Sequence, residues 1–122
     1  MNATPRTLRR PTGKPNCVNS MVARTHPAFI EPIAVDGDAA RLVARVKRVV
    51  AGMKGARLVE EDGTYLRFEF TTSLMRYVDD VEFVVDPTAG VLHFGSASRV
   101  GYHDLWQNRR RMEQFRRLWT RG

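Results

Sequence analysis

The chain has 122 residues, 43% of them hydrophobic, with 20 Lys and Arg against 13 Asp and Glu for a net charge of +7. That length and apolar content predict one domain with a modest core. No run approaches the ~18 apolar residues of a membrane span, and a single cysteine, Cys17, excludes an internal disulfide.

The chain opens on a stretch, Met1 to Lys14, rich in Thr, Pro and Arg and nearly free of large apolar residues. It reads as a flexible basic arm, leaving 15–122 as the domain. Arg6, Arg9, Arg10 and Lys14 are followed by no apolar stretch, which excludes a secretory signal. Pro5, Pro11 and Pro15 oppose the helix of a transit peptide, so the expected location is cytoplasmic. Phe29 to Val35 predicts a short strand, at an edge because Pro32 has no amide hydrogen to donate.

Asp36-Gly37-Asp38 predicts a turn with Asp38 as N-cap of a first helix. Leu42, Val46, Val49, Val50 and Met53 recur at helical spacing, and Gly55 is the expected C-terminal cap. Arg57–Glu61 and Thr64–Thr72 predict a hairpin around Asp62-Gly63. In its second strand Leu66, Phe68 and Phe70 face one way, and Tyr65, Arg67, Glu69 and Thr71 the other. Val81, Phe83 and Val85 repeat the alternation, and Asp86 to Gly90 turns the chain.

Val91 to Arg99 returns as a strand with Leu92 and Phe94 inward, and Ser96 and Ser98 following them unless Gly95 bulges the strand. A last helix is expected from about Asp104 to Thr120, with Leu105, Asn108, Met112, Phe115 and Trp119 on one face. The expected fold is therefore α+β with two layers. An antiparallel sheet of about five strands, in the order strand, helix, four strands, helix, carries both helices on one face.

The charge is unevenly placed. Met1–Ile30 and Arg109–Gly122 each carry a net +5, while Glu31–Asn108 carries −3. Two basic ends point to an anionic partner. No phosphate loop, zinc-type Cys/His spacing or dinucleotide fingerprint occurs, and no metal site or cofactor is expected.

Polar residues gather where the last strand hands over to the last helix. Arg99, Ser96, Ser98, Tyr102, Asp104, Asn108 and Arg109 are the candidate ligand-binding residues there. Asn108 stands out, because a buried amide must find hydrogen-bond partners. Arg76, Asp79, Asp80 and Glu82 form a charged patch expected to make structural ion pairs, with one of the two aspartates on each side of the strand. Arg99 is expected to be held by Asp79, Asp80 or Asp104 while presenting its remaining donors to an anion. Cys17 reads as a small buried residue, with nothing in the spacing to pair it with His26, His93 or His103.

Three stretches carry a resemblance. Pro15 to Ser20, Arg76 to Phe83, and Ser96 to Asp104 with Asn108-Arg109 resemble, in order and spacing, the signature blocks of the family catalogued as domain of unknown function 1499. The resemblance covers nearly everything after Lys14. It implies a small α+β domain and supplies no substrate, cofactor or catalytic residue.

The residues themselves support three functional expectations. The leading one is a non-catalytic binding module with a polar, anion-accepting pocket from Arg99 to Asn108, taking an anionic small molecule or peptide. The second is a hydrolase using Asp79, Asp80 or Asp104 as acid or base. The third is a basic surface for nucleic acid or anionic lipid.

Overall fold

In the computed structural model of the protein, residues 6–122 are described. Six strands and two helices follow in the order β1 (Cys17–Asn19), β2 (Ile33–Ala34), α1 (Ala39–Ala51), β3 (Ala56–Asp62), β4 (Tyr65–Thr71), β5 (Val78–Asp86), β6 (Val91–Ser98) and α2 (Gln107–Arg121). The strands form one antiparallel sheet in the order β1-β6-β5-β4-β3, with β2 also pairing with β6. β1 pairs with residues 95–97 of β6 and β2 with residues 91 and 92, so the two short strands make one interrupted edge. β3 is the opposite edge. It is protected by a register shift between Leu58 and Glu60 and by the charged run Glu60-Glu61-Asp62.

The alternation read from β4 to β6 holds. β5 and β6 pair without a register shift from Asp79↔Ser98 to Asp86↔Val91, so Gly95 introduces no bulge. Leu66, Phe68, Phe70, Val81, Phe83, Val85, Leu92 and Phe94 therefore share one face, where they are buried with the inner residues of both helices. Phe115 of α2 reaches Phe83, with ring centroids 4.7 Å apart. In α1, Asp38 accepts a hydrogen bond from the Arg41 amide, as an N-cap must.

Four boundaries differ from those expected. β1 was not anticipated, because three residues give no period to read. The strand expected over 29–35 shrinks to Ile33–Ala34, with Phe29 making only an isolated bridge to Asn19. α1 ends at Ala51, and Gly55 serves the turn into β3 instead. At its φ of 85° a Cβ would stand 2.5 Å from the Thr71 carbonyl oxygen, which only glycine avoids. α2 begins at Gln107, leaving Leu105 exposed in the preceding turn.

The largest departure concerns the expected free arm. Its first five residues lie outside the described ones, but residues 6–14 cross the face of the sheet that the helices leave open. Leu8 is only 6% exposed and packs with Tyr65 and Val84 in a second small cluster. The Arg9 amide donates to Glu82 Oε1, and Asn19 Nδ2 donates to the Arg9 carbonyl. Arg6 stacks 4.0 Å over the Tyr65 ring and pairs with Glu60 and Asp62. This strap covers residues that the alternation of β4 and β5 otherwise sends to solvent. No helix among the described residues is long and apolar enough to cross a membrane.

Candidate functional site

The polar residues of the three sequence blocks do converge on the end of β6, but the sheet divides them into two groups.

The first group lies under α2. Ser96 and Ser98 sit on the helix-facing side of β6, in phase with Leu92 and Phe94. Asn108, fully buried in the first turn of α2, meets both. Its Oδ1 accepts from Ser96 Oγ, and its Nδ2 lies 2.9 Å from Ser98 Oγ, 2.7 Å from Asp104 Oδ2 and 3.0 Å from the Asn16 carbonyl. Asp104 also accepts from the amides of Trp106 and Asn108. It thereby caps a helix whose own flanking residue, Trp106, has no capping side chain. Arg111 completes the group. Its Nη1 donates to Asn108 Oδ1 and Ser96 Oγ, and its Nη2 stands 2.8 Å from Asp79 Oδ2. The Asp79 contact is ionic, and Asp79 Oδ2 has no hydrogen bond among the described residues. Asp79 is 2% exposed.

The second group lies on the other face. Arg99 follows Ser98 and so points to the opposite side. Its Nε and Nη2 grip the two oxygens of Asp80 at 2.9 Å, and Nη2 also reaches Glu69 at 2.7 Å. Arg67 Nη1 donates to Asp80 Oδ1 as well. The Arg99 bonds hold the Asp80 carboxyl below the ordinary carboxylate range, with the Arg9 charge and the Arg67 hydrogen bond adding to the effect against the cost of burial. Asp80 and then Glu69 raise Arg99 in turn. Glu82 accepts from the Tyr65 hydroxyl at 2.6 Å and from the Arg9 amide. A cleft of about 280 Å³ opens here between the strap and β6, with Arg9, Arg10, Thr12, Asp80 and Arg99 on its walls.

The single pocket expected from Arg99 to Asn108 is thus not assembled. Arg99 and Asn108 stand on opposite faces. Tyr102 is exposed in the loop between β6 and α2, and Arg109 donates to the carbonyls of Pro27 and Phe29. Among the expected ion pairs Asp79, Asp80 and Glu82 all meet arginines. Arg76 meets no carboxylate among the described residues; it sits in the β4–β5 loop at a φ of 59°.

Several contributors escaped the sequence reading. Asn16, Asn19 and Ser20 are all buried. Asn16 Nδ2 donates to the Gly101 carbonyl, Asn19 ties the strap, and Ser20 Oγ accepts from the Phe94 amide and shares a hydrogen bond with His93 Nδ1 at 2.8 Å. Burial lowers the pKa of His93. Cys17 is half-buried on the wall of a second cleft of about 340 Å³, with His26, Asp104, Trp106 and Arg109. Burial and the nearby Asp104 charge push its thiol up, away from a nucleophile's range. No three His, Cys, Asp or Glu side chains gather as a metal-ligand set among the described residues.

This constellation of buried asparagines and serines, with an aspartate on each face of β5, brings together the three blocks quoted above. The chain belongs to the family described as "Protein of unknown function (DUF1499)", whose profile matches residues 7–118. The match begins within the strap, so the segment crossing the open face is part of the family's domain. No curated protein and no solved structure matches the chain.

Proposed function

We propose that the protein is a non-catalytic binding module and that its anion-accepting site is the cleft between the strap and β6. The observation that carries this reading is the Arg99 guanidinium. It is fixed by Asp80 and Glu69 through Nε and Nη2, while Nη1 makes no bond among the described residues. Arg9 and Arg10 stand on the same cleft. A pre-oriented planar fork with a spare donor suits a carboxylate or phosphate group on a small molecule or peptide.

The hydrolase reading has less support. Asp104 caps α2, Asp79 is sealed against Arg111, and Asp80 is held ionised by arginines on both sides. A general base works best with a pKa raised toward neutrality, and Asp80 moves the other way. A nucleic-acid surface would draw on Arg110 and Arg117 along α2, with the exposed ring of Trp106 one turn before Arg110. The lone cysteine suits a reducing, cytoplasmic setting.

The test is a thermal-shift series with inorganic phosphate, succinate and a short acidic peptide. At least one should raise the melting temperature in a saturable way. Arg10→Ala should remove the shift while leaving the unliganded melting temperature unchanged, because Arg10 is exposed and outside the ion-pair networks described above. A wild-type protein indifferent to all three probes, or an Arg10→Ala variant that still responds fully, overturns the reading.

A further inference from the structure

Among the described residues, every large hydrophobic side chain that is exposed, apart from Met21 and Leu58, lies in two loops. Leu74, Met75 and Tyr77 belong to the β4–β5 loop, and Val100, Tyr102, Leu105 and Trp106 to the β6–α2 loop. Both loops leave the same end of the sheet, since Thr71 pairs with Val78 and Asp79 with Ser98. The Arg99 amide donates to the Val78 carbonyl and joins them. Leu74 is 88% exposed and Trp106 63%.

This exposure is built into the backbone. The three non-glycine residues with positive φ among the described ones are Arg76, Leu105 and Trp106, all in these two loops. Left-handed backbone is unfavourable for such side chains and persists only where the surroundings impose it. Here His103 Nδ1 accepts the Leu105 amide, Asp104 Oδ1 accepts the Trp106 amide, and Arg110 donates to the Leu105 carbonyl. The turn holds a leucine and a tryptophan out into solvent.

The charge around them has one sign. Arg76 lies in the first loop, and Lys54, Arg110 and Arg117 line a neighbouring groove of about 350 Å³ beside Phe70 and Gln107. None of the four meets a carboxylate among the described residues. The one acid in either loop, Asp104, is occupied by Asn108 and the amide of Trp106. Aliphatic tips, two tyrosines and a tryptophan, and unpaired cations without competing acids match the water–lipid boundary of an anionic bilayer. There the apolar tips enter the acyl region, the rings sit at headgroup level and the cations meet lipid phosphates. We infer that this end of the sheet is a docking surface for an anionic membrane, with Leu74, Met75, Leu105 and Trp106 inserting and Lys54, Arg76, Arg110 and Arg117 contacting headgroups. A protein partner or a second copy of this chain needs no such one-signed rim. This surface is separate from the cleft beneath the strap.

The test floats the full chain with vesicles of phosphatidylcholine alone and with about one-third phosphatidylglycerol. Binding should require the anionic lipid. Brominated acyl chains should quench the exposed Trp106 and spare Trp119, which is buried behind Arg45. The triple variant Leu74→Ser, Met75→Ser, Trp106→Asn should bind at least tenfold more weakly while melting like wild type. Leu74→Ser alone supplies the same comparison if the triple variant does not fold. The inference is overturned if the wild type does not float with anionic vesicles, or if the folded variant floats equally well. It is also overturned if wild type forms a dimer that the variant dissolves, since a second copy then covers the face.

Discussion

Asp79 and Asp80 are neighbours in the chain, and the sheet sends them into different surroundings. Asp79 faces α2 and meets Arg111, whose guanidinium also lies over the Phe70 ring and donates to the Asn108 amide oxygen. Asp80 faces the strap and is shared by Arg67 and Arg99, with Arg9 at 3.9 Å. The Arg111 side chain is 10% exposed and that of Arg99 is 43% exposed. The same carboxylate–guanidinium chemistry is therefore nearly dry on one face and half-wet on the other. A dry pair is costly to form and more costly to break, because the surviving charge has no solvent to turn to. A wet one gives up its partner cheaply and keeps donors free for a ligand.

That contrast can be broken most decisively at the dry pair. Asp79→Ala or Arg111→Ala should each destabilise by about 3–5 kcal/mol in urea denaturation. The double variant Asp79→Leu, Arg111→Met should recover most of the loss, since an apolar pair leaves no buried charge behind. Equal destabilisation by single and double variants would show that shape, rather than charge, sets the cost.

Asn108→Ala should follow at about 1–3 kcal/mol, because Ser96, Ser98, Asp104 and the Asn16 carbonyl lose a shared partner. Leu8→Ala should cost about 2 kcal/mol, near the low end for a leucine in a small cluster. Removing residues 1–14 should cost more than Leu8→Ala, through Arg6 and the Arg9 backbone. A truncated protein with an unchanged urea midpoint would restore the free-arm reading.

Arg99→Lys should cost only about 1 kcal/mol or less on the wet face, yet it should remove any anion-induced thermal shift. Asp80→Asn sharpens the same point through pH. The folded carboxyl titrates below the ordinary range near pH 4. Its contribution is then complete above that range and disappears as pH falls through the folded value. The wild type should lose stability more steeply than Asp80→Asn as pH falls below the ordinary carboxylate range, as followed by acid unfolding. Parallel curves would mean that Asp80 is not held ionised in the fold.

Much of the fold was legible because strands and helices repeat. The period of two placed Leu92, Phe94, Ser96 and Ser98 on one side, and the period of 3.6 placed Asn108 among Met112, Phe115 and Trp119. The same period already separates Arg99 from Asn108, since a residue following Ser98 points to the other face. Reading the junction as one pocket overlooked that alternation. Arg111 was missed because an arginine in a helix reads as solvated. The available signal was its place three residues after a buried amide, opposite an inward Asp79 that needed a cation. The strap was not legible, since Leu8 alone makes no pattern and its burial depends on Tyr65 and Val84. β1 escaped for a related reason: its side chains are fixed by partners near residue 96 rather than by near neighbours.

β6 binds β5 along one side and both β1 and β2 along the other. From β3 to β6 the strands pair in chain order, joined by short turns, so a four-stranded meander can form from neighbours alone. Cys17 instead pairs with Ala97, and Ile33 with Leu92. During synthesis β1 and β2 must therefore wait, unpaired, until β6 has left the ribosome. The strap and Asn16 can lock only after that closure, which carries the loop entropy of most of the chain. Refolding should accordingly build the meander early and seal the amino-terminal edge last, with Leu8→Ala speeding unfolding while leaving the folding rate almost untouched.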